Sequence, residues 1–562
     1  MTASASVAAL MAYFLSLMDD VIIGNLINEQ AVGGVGLLAP LNSFMIFVAM
    51  LITNGAISSM ICEIGQFHKN RANAYFTNGI IFSAAAGILL FVMLFAVKDA
   101  FLGYLDSNSV TYAYAEAYYE NFVWVVLVYP MFAFIQQAVY TDGDELLYLL
   151  SYAVEIVGNA VISILLCEKM GIRGISLGTA LSILISLAVL SLHFLRKQNS
   201  FHLNFRISRK KLYSIGTNGI AGSCPLLFTA IFSLCLNRYF TANFGEAQLP
   251  ILAVATNMTE TVNVFNGLGL AVTPLVAMYD GESNTKKLRH IIGYSCKRAA
   301  VGSVLLTVLS IIFSAGIAAL FGITSPDLLD GASSAVRIIS FTYFASSYLL
   351  LIFSYHTAVG PLPFAGFVAS IRDLIIPFAV TFMLAQVYGM CGLWIGISLS
   401  PILAAVITIV TVQIKYGKGV YPFLLYKDDI PDVYSIDFSL TPENIINAVE
   451  YVEKLLTEYK ISRSTISHVR LLVEDVLMLV VDRNPGKNLT AECTLRFSDD
   501  ILLVLKDDGI LFDITDSDMQ VSSLRAFTVA SIMEHHAQRV NMTTLCCNRN
   551  AFRFPREVEN NS

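Results

Sequence analysis

The sequence predicts an all-α polytopic membrane protein with twelve transmembrane helices in two six-helix lobes, followed by a small C-terminal cytoplasmic α/β domain. Three observations predict it. The 562 residues are 56% hydrophobic and only 14% charged, whereas soluble domains carry roughly 25% charged residues. An ordinary soluble enzyme and a disordered chain are both excluded on that ground. Charge is also uneven: residues 1–426 hold 21 Lys+Arg and 20 Asp+Glu, while residues 427–562 hold 14 and 22, a net of 14 − 22 = −8. Finally, twelve apolar stretches fill the first part, each near the ~20 residues that cross a hydrocarbon core. The acidic tail offers no basic surface for nucleic acid.

The first stretch, residues 7–27, has no Lys or Arg ahead of it and no clear cleavage site, so it reads as a retained helix rather than a removed signal peptide. The next five are residues 32–52, 74–97, 122–140, 147–167 and 175–195. The second six are residues 215–239, 252–277, 301–321, 338–356, 364–386 and 393–414. Pro130 and Pro377 fall inside spans, where neighbouring helices can satisfy the freed backbone groups. The connecting segments alternate in charge. Lys69 and Arg71 follow span 2, a run from Arg196 to Lys211 follows span 6, Lys286, Lys287 and Arg289 follow span 8, and Lys415 and Lys418 follow span 12. Glu29, Glu246, Asp327 and Asp330 occupy the opposite set. Asp142, Asp144 and Glu145, after span 4, break the alternation. The positive-inside rule then puts both termini in the cytoplasm of a cell-membrane protein.

The expected domains are a first lobe at 1–195, a basic cytoplasmic linker at 196–213, a second lobe at 214–415, a linker at 416–430 and the α/β domain at 431–556. Each lobe repeats one order in its second span and the turn after it. Asn54-Gly55 precedes Gly65 and His68-Lys69-Asn70-Arg71; Asn266-Gly267 precedes Gly281 and Asn284-Thr285-Lys286-Lys287. Duplicated halves with a substrate site between them are common in secondary transporters. The nine cysteines include no CxxC pair and read as small buried hydrophobes rather than a disulfide framework or metal site.

Four segments of residues 1–415 resemble the MATE (multidrug and toxic compound extrusion) family. Asp19, five residues before Gly24, resembles its first-span Asp…Gly. Ala39-Pro40-Leu41 resembles its second-span Pro-Leu. Gly158-Asn159 with Gly171-Ile172-Arg173-Gly174 resembles its fifth-span Asn and the following Gly-x-x-Gly. Arg372…Pro377 with Gly389-Met390-Cys391-Gly392-Leu393-Trp394 resembles its eleventh-span Arg…Pro and the next Gly-x-x-Gly. The resemblance implies an exporter of cationic or amphipathic small molecules, exchanging them for H⁺ or Na⁺ by alternating access. It implies no cofactor and no enzymatic activity.

Buried acids would carry such exchange. A charge at mid-bilayer costs at least ~2.5–3.5 kcal/mol, so intramembrane acids mark functional sites. A carboxyl in an apolar pocket can hold a proton and release it when water or a cation arrives. Asp19 and Asp20 lie in span 1. Glu155, Asn159 and Ser163 recur every four residues in span 5 and so share one helix face. Ser163 stands where the family often has an acid; that departure favours protons over Na⁺, with Glu155 supplying the carboxylate. Glu260 and Asn263, three apart in span 8, make a second acidic site. The plainer use of all these groups is polar packing between helices. Arg238 and Arg372 are placed near span ends, reaching water.

In the tail, Thr441-Pro442 opens a helix to about 459, a second runs over 465–481, residues 491–497 and 501–506 form a hairpin, a last helix covers 522–537, and 552–554 is an edge strand. That order resembles the GHKL ATP-binding fold in the small form found in anti-sigma-factor kinases. Glu474 and the Asp507-Asp508-Gly509 box resemble its nucleotide site. Met478 replaces the magnesium-binding Asn, and Met lacks the oxygen that Mg²⁺ requires. Ser522-Ser523-Leu524-Arg525 replaces the glycine-rich lid. The expected domain is therefore degenerate, with weak or no ATP binding, and regulatory toward a ligand or a cytoplasmic protein partner. Small-molecule substrate and membrane lipids are the other expected partners. A flippase for a lipid-linked precursor and a membrane-tethered regulator that sequesters a protein are the alternatives; few intramembrane Lys or Arg, which would hold a phosphate, favour the antiporter.

Overall fold

The computed structural model describes the chain except residues 1, 66–67, 105–108, 197–198, 200, 205–207, 360–361, 418–431, 511, 513, 515–522, 545–546 and 557–562. Most of the expected 416–430 linker and part of the 196–213 linker lie outside the described residues. Two compact units form. One takes Met1–Met60, Asn73–Thr273 and Arg289–Lys427; the other takes Ile61–Ala72, Pro274–Leu288 and Asp428–Ser562. The second unit thus holds the C-terminal domain together with two turns from the apolar part of the chain.

Among the described residues, the apolar part is built of helices joined by short turns and loops. Its first half contains α1 (Thr2–Leu26), α2 (Glu29–Gly36), α3 (Ala39–Gly65), α4 (Lys69–Tyr104), α5 (Ser109–Thr141), α6 (Glu145–Met170) and α7 (Ile172–Ser191). Its second half contains α8 (Arg209–Phe244), α9 (Leu249–Glu260), α10 (Asn266–Gly281), α11 (Thr285–Ile312), α12 (Ser314–Leu320), α13 (Pro326–Ile339), α14 (Thr342–Val359), α15 (Leu362–Ser370) and α16 (Ile376–Tyr416). Among the described residues, ten helices are long and apolar enough to cross a membrane, or eleven if α13 and α14, bent by 45°, count as one span.

Several expected spans are broken, and each break has a local cause. The second divides at Leu37–Leu38, just ahead of Pro40, which lacks the N–H a continuing helix needs. Asn28 caps α2 by accepting from the Ala31 N–H. The Leu37 carbonyl freed at the break accepts from Asn237 Nδ2 at 3.2 Å. Span 8 is interrupted by a 3₁₀ turn at Thr261–Phe265. At the α13–α14 bend, Ser398 Oγ donates to the Ile338 carbonyl at 2.6 Å and Thr307 Oγ1 to the Ser340 carbonyl at 2.9 Å. Polar side chains from other helices thus replace the missing backbone bonds, as membrane helices require.

One device occurs twice. Gly171, between α6 and α7, has φ 60° and ψ −141°; Gly389, inside α16, has the same angles. That region is open essentially to glycine alone. Close approaches repeat around it. A Cβ on Gly174 would meet the Leu166 carbonyl, and one on Gly392 the Leu384 carbonyl; Gly178 lies against Ser163, and Gly396 against Thr381. The spacing within both hairpins is identical.

The acidic loop after span 4 is explained by its partners. His193 is buried, with Nε2 2.8 Å from Asp142 and Nδ1 3.1 Å from Asp144, and Arg196 also pairs with Asp144. The carboxylates that break the charge alternation are paired with the basic segment after span 6.

In the second unit, β1 (Val433–Ser439), α17 (Pro442–Glu458), α18 (Arg463–Arg483), β2 (Thr490–Phe497), β3 (Asp500–Asp507), α19 (Leu524–His535), β4 (Gln538–Thr544) and β5 (Cys547–Pro555) follow in order. The sheet is antiparallel with strand order β1-β2-β3-β5-β4. Thr441 caps α17 through the Asn444 N–H, with Pro442 in the first turn. Cys493, Leu495 and Phe497, every second residue of β2, join Ile501, Leu503 and Leu505 of β3 and Val469, Val473, Val476 and Val480 of α18 in one core. The expected edge strand at 552–554 is corrected: Phe552 and Phe554 lie in β5, between β3 and β4, and are buried. Strands β1 and β4 are additions to the expected elements: VYSIDFS sets Tyr434, Ile436 and Phe438 against the core in alternation with polar residues, whereas QRVNMTT is largely polar.

Candidate functional site

The strongest polar constellation in the first unit surrounds Asp19. Three donors from three helices converge on its carboxylate: Tyr118 Oη of α5 at 2.5 Å, Asn159 Nδ2 of α6 at 2.8 Å and Thr179 Oγ1 of α7 at 2.9 Å. Ser163 Oγ donates to Asn159 Oδ1 at 2.7 Å, which turns the amide's NH₂ toward Asp19. Gly178 allows this, because its missing side chain lets α7 approach Ser163. Three donors replace the water that a carboxylate loses in lipid. The same residues offer carboxylate, amide and hydroxyl oxygens, the donor types a small hard cation takes.

The expected stripe on α6 is present: Glu155, Asn159 and Ser163 are all buried on one face. Asn159 and Ser163 join Asp19. Glu155 remains one turn away, with its Oε2 buried and without a hydrogen-bond partner. Tyr118 and Thr179 were missed. A tyrosine in Ala117-Tyr118-Tyr119 and a threonine in an apolar span carry no motif, and only the helix packing gives them a role.

Asp20 faces the other way. Its Oδ2 accepts from Asn257 Nδ2 of α9 at 2.6 Å, so adjacent carboxylates on α1 reach helices of different halves. Glu260, at the end of α9, is half-buried. Asn263, in the 3₁₀ turn that follows, is exposed and accepts from Asn266 Nδ2 at 3.1 Å. The expectation for Arg372 is corrected. That side chain does not reach water but folds onto its neighbour Asp373, bidentate at 2.7 Å, in a π-helical turn at Ile371–Ile375 and over the Phe353 ring. Arg238 stacks near the Tyr104 ring.

In the second unit, Asp507 Oδ1 accepts from Asn548 Nδ2 at 2.7 Å and from the Gly509 N–H at 2.9 Å. Burial pushes its carboxyl up to about 6. Glu474 is exposed on α18. Arg525 reaches from the start of α19 to Asp482 of α18 at 2.6 Å and lies 3.8 Å from Asp475. No group of three or more His, Cys, Asp or Glu among the described residues could hold a metal ion.

Residues 5–166 and 225–381 match the MatE family, more than half of the chain. The multidrug export protein MepA of Staphylococcus saprophyticus is 19% identical over 296 residues, covering 51% of this chain and 64% of that relative. An inward-facing structure of a multidrug resistance MATE family transporter superposes with a TM-score of 0.66 at 18% identity, covering 72% of this chain and 94% of that one. An outward-facing structure gives 0.63, with 74% and 94% covered.

Proposed function

The chain belongs to the MatE family of multi-pass membrane transporters, not enzymes, and on that premise we propose that it exports cationic or amphipathic small molecules in exchange for H⁺ or Na⁺. The single observation that carries this reading is the convergence of Tyr118, Asn159 and Thr179 on Asp19. A carboxyl held by donors from three helices ties its own ionisation to their packing. Protonation removes the charge those donors compensate, so ion binding can shift the population of helix arrangements. The pairing of Arg372 with Asp373 supports export over flipping of a phosphate-bearing lipid, since that arginine is already neutralised.

Twelve crossings follow if the α13–α14 pair is one span and the continuous Phe364–Lys415 helix is divided at Gly389. The repeated glycine turn supports that division and the two-lobe reading. The basic turns support a reading in which both termini lie on the cytoplasmic side of the cell membrane. The tail is read as a degenerate GHKL-like, regulatory domain. The Arg525 pairs with Asp475 and Asp482 support this, because they commit the lid-box arginine to α18 instead of a phosphate.

The test is Asp19→Asn in proteoliposomes with imposed H⁺ or Na⁺ gradients and ethidium as probe. Gradient-driven flux should fall by roughly tenfold or more, a loss of at least ~1.4 kcal/mol of coupling. Undiminished gradient-driven flux would remove Asp19 from the exchange.

A further inference from the structure

The second unit holds a buried ion cluster that is separate from the Asp19 constellation. Glu282, in the turn between α10 and α11, is fully buried. Its carboxylate lies 2.5 Å from Lys506 Nζ of β3 and 2.9 Å from Arg549 Nε of β5. Lys506 also meets Glu492 of β2 at 3.3 Å and sits over the Tyr279 ring, while the Tyr279 hydroxyl donates to Glu492 at 2.9 Å. Around this centre, Asn284 donates to Ser435 at 2.7 Å and Lys287 pairs with Asp437. The turn between α3 and α4, which occupies the matching place in the first half, belongs to the same compact unit.

We propose that the C-terminal domain is a latch on the conformational cycle, gripping the α10–α11 turn through Glu282 and holding the equivalent turns of the two halves together. This rests on the export reading only for its transport readout. The domain's main apolar core lies on the opposite face of the sheet, so the ion cluster is not part of it. The contact face joins charges, hydroxyls and an amide to a small buried patch of Leu502, Val504 and Ala551, a mixed composition like that of interfaces between domains that move. Its centre is nonetheless two-state. A buried carboxylate stripped of its cations is strongly disfavoured, so Glu282 is either on Lys506 and Arg549 or released into water. Alternating access needs the halves to part on each face in turn; on the latch's face that requires release.

The test uses the full chain, with the exposed Cys62 and Cys391 replaced by Ser. Spin labels on Lys69→Cys and Lys286→Cys report the separation of the two turns. The parent protein should show one distance; Glu282→Gln should add a second, longer one. In proteoliposomes, Glu282→Gln should raise the initial ethidium flux roughly 5-fold or more, within the usual range of coupling between sites. A disulfide between Asn284→Cys and Ser435→Cys should suppress flux until a reductant restores it. Unchanged distances in Glu282→Gln, or full flux in the oxidised double-cysteine protein, would overturn the latch. If the second distance appears but no variant moves ethidium under any gradient, the latch stands and the export reading falls.

Discussion

At the scale of single residues, the two units treat their buried acids differently. Asp19 is compensated by three neutral donors, Glu282 by two cations. Among the described residues, Asp507 is met by one amide and one backbone N–H, and burial raises its carboxyl from 3.8 to about 6. An acid whose folded pKa is raised favours the fold while protonated. Its contribution is therefore complete below about pH 4 and is lost as pH rises through 6. The loss amounts to about 3 kcal/mol at most, from a shift of 6 − 3.8. Asn at this position keeps an acceptor for both bonds and cannot ionise. Relative to Asp507→Asn, the wild-type chain should lose denaturant resistance in its C-terminal unit between pH 4 and pH 7. A constant difference across that range would contradict the assignment.

At the scale of elements, the repeated glycine turn is the most demanding local feature. A Cβ at Gly171 or Gly389 would meet nothing within 4 Å, so substitution is opposed only by the backbone angles. Gly171→Ala and Gly389→Ala should each destabilise by ~1–3 kcal/mol, read as a lower unfolding temperature in detergent. Gly281→Ala, with equal space but no positive φ, is the control and should cost far less. These turns were visible in the sequence as Gly-x-x-Gly, and the α6 stripe followed from its four-residue spacing. Helix breaks were less legible. Leu37–Leu38 and the 3₁₀ turn at Thr261–Phe265 interrupt apolar runs without interrupting their hydropathy, because polar groups from distant helices stabilise them. The same cause hid Thr179 and Tyr118. In the tail, β1 alternates Tyr434, Ile436 and Phe438 onto the core, a legible pattern, while the polar β4 is held by sheet pairing.

At the scale of the whole molecule, one fact bears on topology independently of loop charge. The turns at Ile61–Ala72 and Pro274–Leu288 share a compact unit with Asp428–Ser562, so all three must lie on one side of the membrane. Single cysteines at Lys69 and Lys286, both exposed, and at the exposed Glu474 should react with a membrane-impermeant maleimide from the same side in sealed vesicles. Labelling from opposite sides would break both the unit and the even number of crossings. The charge exception at Asp142 and Asp144 shows why this second line matters. A count of bare charges misreads acids already paired with His193 and Arg196.

Glu282 also constrains how the chain is made. Ribosomes release the chain from its N-terminus, so Glu282 leaves the exit tunnel more than 200 residues before Lys506 and Arg549, since 506 − 282 = 224. Until those strands emerge, that carboxylate lacks Lys506 and Arg549 and stays hydrated. Its burial therefore waits for β3 and β5, and a chain that stops short of β3 carries an unfinished surface where quality control can recognise it.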